Sequence, residues 1–227
     1  MVAIRTYHPR RGRLSGRHRD ALDRLLPVYG VSETSPVRVD GATLFGRDVP
    51  LVLEIGSGMG EATVEMAAAD PDRGYLAAEI HTPGVANLLA VAEERGVTNL
   101  RVAPLDALEL LRERIPPDSL AAVHIFFPDP WPKARHHKRR LIQPAHVSLV
   151  ASRLAPGGVL HCATDWPEYA SWMLETLSAS ALVNCFDGYA PRPEHRPWTK
   201  FELRGIEAAR PVFDLVFRKV AGNNESR

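Results

Sequence analysis

Cysteine is almost missing from this sequence: Cys162 and Cys185 stand alone among 227 residues. They lie too far apart for a local metal or redox motif, and Cys162 falls in an apolar run, so both read as reduced thiols rather than a disulfide framework. No apolar run reaches the ~20 residues that a membrane span needs. The amino terminus is rich in arginine and lacks the apolar segment of a secretory signal, so the expectation is a soluble, cytoplasmic protein. Internal repeats and low-complexity segments are absent, and only residues 221–227 read as a polar, frayed tail. Net charge is nearly absent too, at +1, an average that by itself argues against a nucleic-acid partner.

That average hides a segregated distribution. Residues 1–20 hold Arg5, Arg10, Arg11, Arg13, Arg17 and Arg19 against one acid, Asp20. This reads as a basic arm ordered by RNA, or as a solvated tail. A second cluster, Lys133, Arg135, Lys138, Arg139 and Arg140 with His136 and His137 among them, favours the first reading. Hydrophobic content of 45% and charged content of 24% suit one domain with a substantial core, placed at residues 21–220.

From residue 51 onward, apolar runs alternate with segments of helical period. Strands are expected at 51–55, 75–80, 100–104, 121–127 and 159–163, and helices at 61–69, 83–95, 107–114, 142–154 and 168–178. Strands alternating with helices imply right-handed βαβ units and a mostly parallel sheet. Residues 182–186 and 211–219 read as two further strands, paired antiparallel at one end of that sheet.

The first βα junction reads Glu54-Ile55-Gly56-Ser57-Gly58-Met59-Gly60. Closely spaced glycines after a strand let the backbone approach a nucleotide-like cofactor near a helix amino terminus. A dinucleotide fingerprint needs glycine or alanine where this chain has Glu61, which disfavours a nicotinamide oxidoreductase. A carboxylate beside the loop suits a cationic ligand better than a pyrophosphate. Glu79 ends the second strand, where an acid commonly accepts ribose hydroxyls, and Asp106 follows the third. Asp106 reads equally as the cap of the next helix.

The most informative segment is Phe126-Phe127-Pro128-Asp129-Pro130-Trp131, leading into the basic stretch 133–140. A carboxylate between two prolines cannot join a helix or a central strand, so Asp129 is displayed at a strand's carboxyl end, where open α/β sheets bind ligands. Trp131 and Trp198 read either as stacking platforms for bases or as packing. Asp165, after the fifth strand, is either a grip on a base edge or a helix cap. No metal is expected: His136 and His137 lack convincing partner ligands.

With these residues assembled, the chain resembles the bacterial tRNA (guanine-N7-)-methyltransferase family over nearly its whole length. The matching segments are Arg10-Arg11-Gly12-Arg13, the loop 54–60, Glu79-Ile80-His81, Asp106-Ala107, Phe127-Pro128-Asp129-Pro130-Trp131-Pro132-Lys133, the stretch 135–140, Thr164-Asp165 and Thr199-Lys200-Phe201-Glu202. Ala134 departs from the family, which often has lysine there.

The resemblance implies a Rossmann-like class I methyltransferase fold, with a seven-stranded, mostly parallel sheet and helices on both faces. It implies transfer of the methyl group of S-adenosylmethionine to N7 of guanine-46 in the tRNA variable loop. Glu54, Gly56, Gly58, Glu79, Asp106 and Asp129 correspond to cofactor positions, with Asp129 also catalytic. Lys133, Asp165, Thr199, Lys200, Phe201 and Glu202 correspond to substrate positions. Arg10, Arg11, Arg13, Arg135, Lys138, Arg139 and Arg140 are expected on RNA phosphates. No obligatory protein partner is evident, and monomer and homodimer both remain open. The competing readings are a methyltransferase for another RNA or a small aromatic molecule, and an RNA-binding protein with a vestigial cofactor site. The acids at successive strand ends disfavour the last.

Overall fold

In the computed structural model, residues 6–7, 12–32, 38–198, 202 and 210–220 are described. Leu51–Ile55 (β1), Gly74–Ala78 (β2), Leu100–Ala103 (β3), Leu120–Phe126 (β4) and Leu154–Thr164 (β5) form parallel neighbours in the order β3-β2-β1-β4-β5. Phe213–Lys219 (β7) runs antiparallel beside β5, and Leu182–Asn184 (β6) antiparallel beside β7. The sheet is therefore seven-stranded and mostly parallel, with the expected antiparallel pair at one end. Strands β1 and β2 are buried along their entire length, which is why they read as unbroken apolar runs rather than alternating ones.

Helices cover both faces. On one, Leu51, Leu53 and Ile55 pack with Leu110 and Leu111 of Ala107–Glu113 (α5), Val147 and Val150 of Pro144–Arg153 (α6), and Tyr169 and Met173 of Pro167–Ser178 (α7). On the other, Val52, Ala77 and Val102 meet Ala21 and Leu25 of Gly16–Tyr29 (α1), Val64 and Ala67 of Glu61–Ala69 (α3), and Val85 and Leu88 of Thr82–Glu94 (α4). A short helix, Gly41–Phe45 (α2), is closed by a capping box between Asp40 and Thr43. Prolines open α4, α6 and α7 within their first two positions, where the missing amide hydrogen has no intrahelical partner to lose.

Three elements depart from the sequence expectation. Helix α1 takes in residues 16–20 of the stretch read as an arm. Ser15 caps it, and Arg17 and Arg24 pair with Glu94 and Glu93 of α4. Part of its charge is thus neutralised by a neighbouring helix. Strand β5 begins at Leu154, five residues before the expected start, because Leu154 already pairs with Leu120 and the register then shifts across the Gly157-Gly158 kink. Finally, the basic stretch folds as a short 3-10 helix, Ala134–Arg139. Among the described residues no helix is long and apolar enough to cross a membrane.

Candidate active site

All five parallel strands end on one edge, and the order β3-β2-β1-β4-β5 reverses direction between β1 and β4. A crevice opens at such a switch point because the flanking connections run to opposite faces of the sheet. The loop after β1 carries the glycines, and the loop after β4 carries Asp129. The two segments that the sequence singles out thus flank one crevice.

Gly56 and Gly58 have φ of 78° and 60°, a left-handed backbone that disfavours side chains, and a Cβ on either would meet open space. The loop is therefore a concave peptide surface with room above it. It is pinned from below: Asn87 Nδ2 donates to the Met59 carbonyl at 2.7 Å. A Cβ on Gly84, in the first turn of α4, would lie 2.1 Å from the Gly58 carbonyl oxygen.

Glu54, one residue before the end of β1, is 4% exposed, and its Oε2 is buried without a hydrogen-bond partner. Burial pushes its carboxyl up to about 7. Thr63 nearby opposes the rise without reaching hydrogen-bond geometry, while the charge of Glu79 adds to it. An orphaned buried carboxylate oxygen beside an open peptide cradle fits a cationic, nucleotide-like ligand, which would restore the missing partner and favour the ionised form. Ser57 Oγ is similarly buried and unpartnered.

Glu79 braces the loop as well as facing the ligand edge: Oε2 accepts from Gly58 N at 2.8 Å and Oε1 from His81 N at 2.7 Å. Each oxygen keeps a lone pair for a hydroxyl. Asp106 caps α5, accepting from Leu108 N at 2.8 Å and Glu109 N at 3.4 Å. Both bonds fall on Oδ1, so capping and a ligand contact through Oδ2 are compatible.

Asp129 is half-buried on a loop bracketed by two non-glycine residues in left-handed conformation, Phe127 (φ 50°) and Trp131 (φ 47°). Backbone strain of about 1–2 kcal/mol per residue persists only where surroundings enforce it. Here the enforcement is visible. Phe127 N donates to the Ala163 carbonyl, anchoring the loop on β5, and the Trp131 ring is buried, its Nε1 donating to the Thr6 carbonyl. Trp131 is therefore a packing residue, with the Arg139 guanidinium 5.0 Å from its ring centre.

The basic residues divide into two groups. Lys133, Arg135 and Lys138 are exposed and Arg139 is half-exposed, a disposition suited to phosphate. Arg140 is fully buried: Nε donates to the Pro130 carbonyl at 3.0 Å and Nη2 to Glu168 Oε1 at 2.9 Å, with the rings of Tyr169 and Trp172 about it. This corrects its expected phosphate contact, since a guanidinium with no exposed surface cannot reach a backbone in solvent. Its place is beneath the Asp129 loop, tying it to α7. His137 joins the same cluster, 3.5 Å from Glu168. Arg13 is exposed, whereas Arg10 and Arg11 lie outside the described residues.

On the far side of the crevice, Asp165 pairs with Arg210 at 3.1 Å, and α7 starts from Trp166 without a side-chain cap. The capping alternative for Asp165 therefore falls away. Thr199, Lys200 and Phe201 lie outside the described residues. Glu202 is 1% exposed, its Oε1 accepting from Arg192 and Arg196 and its Oε2 from Arg196. It is locked between two guanidinium groups rather than presenting a free carboxylate. Arg196 also binds both oxygens of Asp214 on β7, at 2.9 and 3.0 Å, and Asp214 in turn meets His161 Nε2 at 2.7 Å. Sequence reasoning missed Arg196 and Asp214. The available signal was a lone acid, Asp214, in the apolar run 211–219.

Comparison with known proteins agrees with this arrangement. A family model described as "Putative methyltransferase" matches residues 48–215. A tRNA (guanine-N(7)-)-methyltransferase of Streptomyces coelicolor is 54% identical over 220 residues, covering 96% of this chain and 81% of the relative. One from Nitrosospira multiformis is 52% identical and 96% covered on both sides. Among solved structures, the 16S rRNA methyltransferase KamB superposes with a TM-score of 0.58 at 16% identity, covering 81% of this chain and 99% of its own. A 16S rRNA (adenine(1408)-N(1))-methyltransferase from Catenulisporales acidiphilia also gives 0.58, at 15% identity, covering 86% and 98%. The solved structures establish the methyltransferase fold alone. Identity above one half along nearly the entire chain goes further, and the chain belongs to the tRNA (guanine-N(7)-)-methyltransferase family.

Proposed function

We propose that the protein transfers the methyl group of S-adenosylmethionine to N7 of a guanine in tRNA, at guanine-46 of the variable loop, as a cytoplasmic enzyme. The observation that carries this reading is the placement of Glu54 on β1 and of the Asp129 loop after β4, on the two sides of the switch point, with exposed Lys133, Arg135 and Lys138 leading away from it. Family membership supplies the substrate class. When bound, S-adenosylmethionine supplies an electrophilic methyl group on a sulfonium centre. Glu54, the peptides of Gly56 and Gly58, Glu79 and Asp106 are the residues that would hold it, the Glu54 carboxylate favouring its cationic end.

Guanine N7 carries an in-plane lone pair and no proton, so no strong base is needed to create the nucleophile. Catalysis then rests on orientation, which can contribute about 7–11 kcal/mol when reactants are held in line. Asp129 is placed in the role of accepting hydrogen bonds from guanine N1 and N2, fixing the purine while its charge favours the cationic product. Arg140, Phe127 and Trp131 keep that carboxylate still. Asp165, paired with Arg210, is the second grip on the base edge, and Thr199, Lys200 and Phe201 are further substrate contacts. The exposed bases hold phosphate without reading sequence, and the crevice takes a guanine drawn from its stack.

The test is transfer of labelled methyl from S-adenosylmethionine to unmodified tRNA, followed by nuclease digestion and nucleoside identification, with Asp129→Ala and Asp129→Asn alongside. Label in N7-methylguanosine, reduced at least ~100-fold in both variants, is the expected result. Cofactor binding with unlabelled tRNA would defeat the substrate assignment. Near-normal turnover by Asp129→Asn would remove Asp129 from its role.

A further inference from the structure

We propose that His124, His161 and His195 form a three-histidine site for one divalent transition cation of the zinc class, which clasps the segment carrying His195 onto the sheet. One ring nitrogen from each histidine lies within 4.8 Å of the other two. The ring centres stand 5.9 Å apart for His124 and His161, 5.6 Å for His161 and His195, and 6.2 Å for His124 and His195. Metal–nitrogen bonds of about 2 Å at tetrahedral angles put ring centres roughly 5 Å apart, so a small inward movement completes the set. Strand register is what brings the first two together: His124 of β4 pairs directly with His161 of β5.

The second sphere is already built. His161 Nε2 is engaged by Asp214 Oδ1 at 2.7 Å, and Asp214 is itself held at both oxygens by Arg196. A carboxylate on one ring nitrogen fixes the tautomer and leaves the other nitrogen's lone pair for a metal. That other nitrogen, His161 Nδ1, is buried without a partner, and so is His124 Nδ1. Two buried imidazole nitrogens without partners, on neighbouring strands of the same cluster, call for a partner that a cation would supply. The adjacent ion network pairs Arg192 and Arg196 with Glu202 and Asp214. His195 is exposed and provides the entry path.

Nitrogen donors from three imidazoles, a carboxylate behind one of them and an open fourth position suit zinc, cobalt or nickel rather than magnesium or calcium. The consequence is positional. His124 stacks on Phe126 at 5.1 Å, where the Asp129 loop begins, and His195 is next to Arg196, which binds Glu202 and Asp214. A metal here ties the His195 segment to strands β4 and β5, next to the start of the Asp129 loop.

The test uses tag-free full-length protein, stripped with chelator and titrated with cobalt(II). The expected result is one equivalent bound with the visible absorption of four-coordinate cobalt, displaced by zinc, and a melting temperature raised by zinc. His195→Ala and His195→Gln, both at an exposed position, should bind about 10-fold or more weakly and lose the zinc-dependent rise. Absence of stoichiometric binding, or equal binding by both variants, would overturn the proposal. None of these readouts depends on methyl transfer, so the site can fail while the proposed activity stands.

Discussion

At the scale of single residues, the site combines functional need with thermodynamic cost. Glu54 keeps a proton up to about pH 7 in the folded protein, whereas the unfolded chain loses it near 4.5. Folding therefore takes up a proton across that window, and stability falls as pH rises through it, levelling off above about 7. The difference corresponds to roughly 3 kcal/mol at alkaline pH. Glu54→Gln is accordingly expected to stabilise the ligand-free protein at pH 8 by up to that amount, with little change near pH 4. The same variant should bind S-adenosylmethionine at least ~10-fold more weakly, because a neutral amide offers nothing to a cation. Urea denaturation at the two pH values, with calorimetric titration of the cofactor, checks both halves. Arg140 shows the converse. It reads as one more base in a cationic run, yet its burial makes it a brace, a distinction that composition does not carry.

Whole elements show how the crevice walls are held. Strand β7 is antiparallel to β5 and returns Asp214 next to Ala163, which places the acid where Arg196 can bind it and Glu202 together. Removing that guanidinium takes the shared partner from two carboxylates, each 2% exposed or less, leaving Glu202 with Arg192 and Asp214 with His161. Breaking a buried ion network in this way costs about 3–5 kcal/mol. Arg196→Ala should therefore lower stability by that order in urea denaturation. Helix α1 makes a related point. Its arginines Arg17 and Arg24 pair with acids of α4, so the helix belongs to the domain that the sequence placed after residue 20.

For the molecule as a whole, the uneven charge distribution predicts a measurable division of labour. Replacing Lys133, Arg135 and Lys138 by alanine should weaken tRNA binding and reduce the slope of log K against log salt by roughly 2–3, about one for each phosphate no longer neutralised. Arg140→Ala should leave that slope unchanged while lowering turnover, because it loosens the Asp129 loop without removing an exposed charge. Filter binding across a salt series, set beside single-turnover rates, separates the two. An unchanged slope in the triple variant would remove this turn from the RNA surface.

The alternation of apolar runs and helical segments made β1 and α3 legible to the residue, because buried parallel strands and amphipathic helices impose different periods on the chain. Local chemistry likewise determined the glycine loop and the display of Asp129, since left-handed turns and proline-flanked loops are decided by the residues themselves. Tertiary structure alone decided which charges are neutralised inside the molecule. Arg140, Glu202 and Arg196 are charged residues in polar stretches whose burial depends on partners between 6 and 28 residues away in sequence. It also decided the meeting of His124, His161 and His195, which strand register and a returning loop bring together from three separate segments. Propensity and turn chemistry act over a few residues. Desolvation and side-chain convergence depend on what the fold sets beside a group, and no local pattern encodes that neighbour.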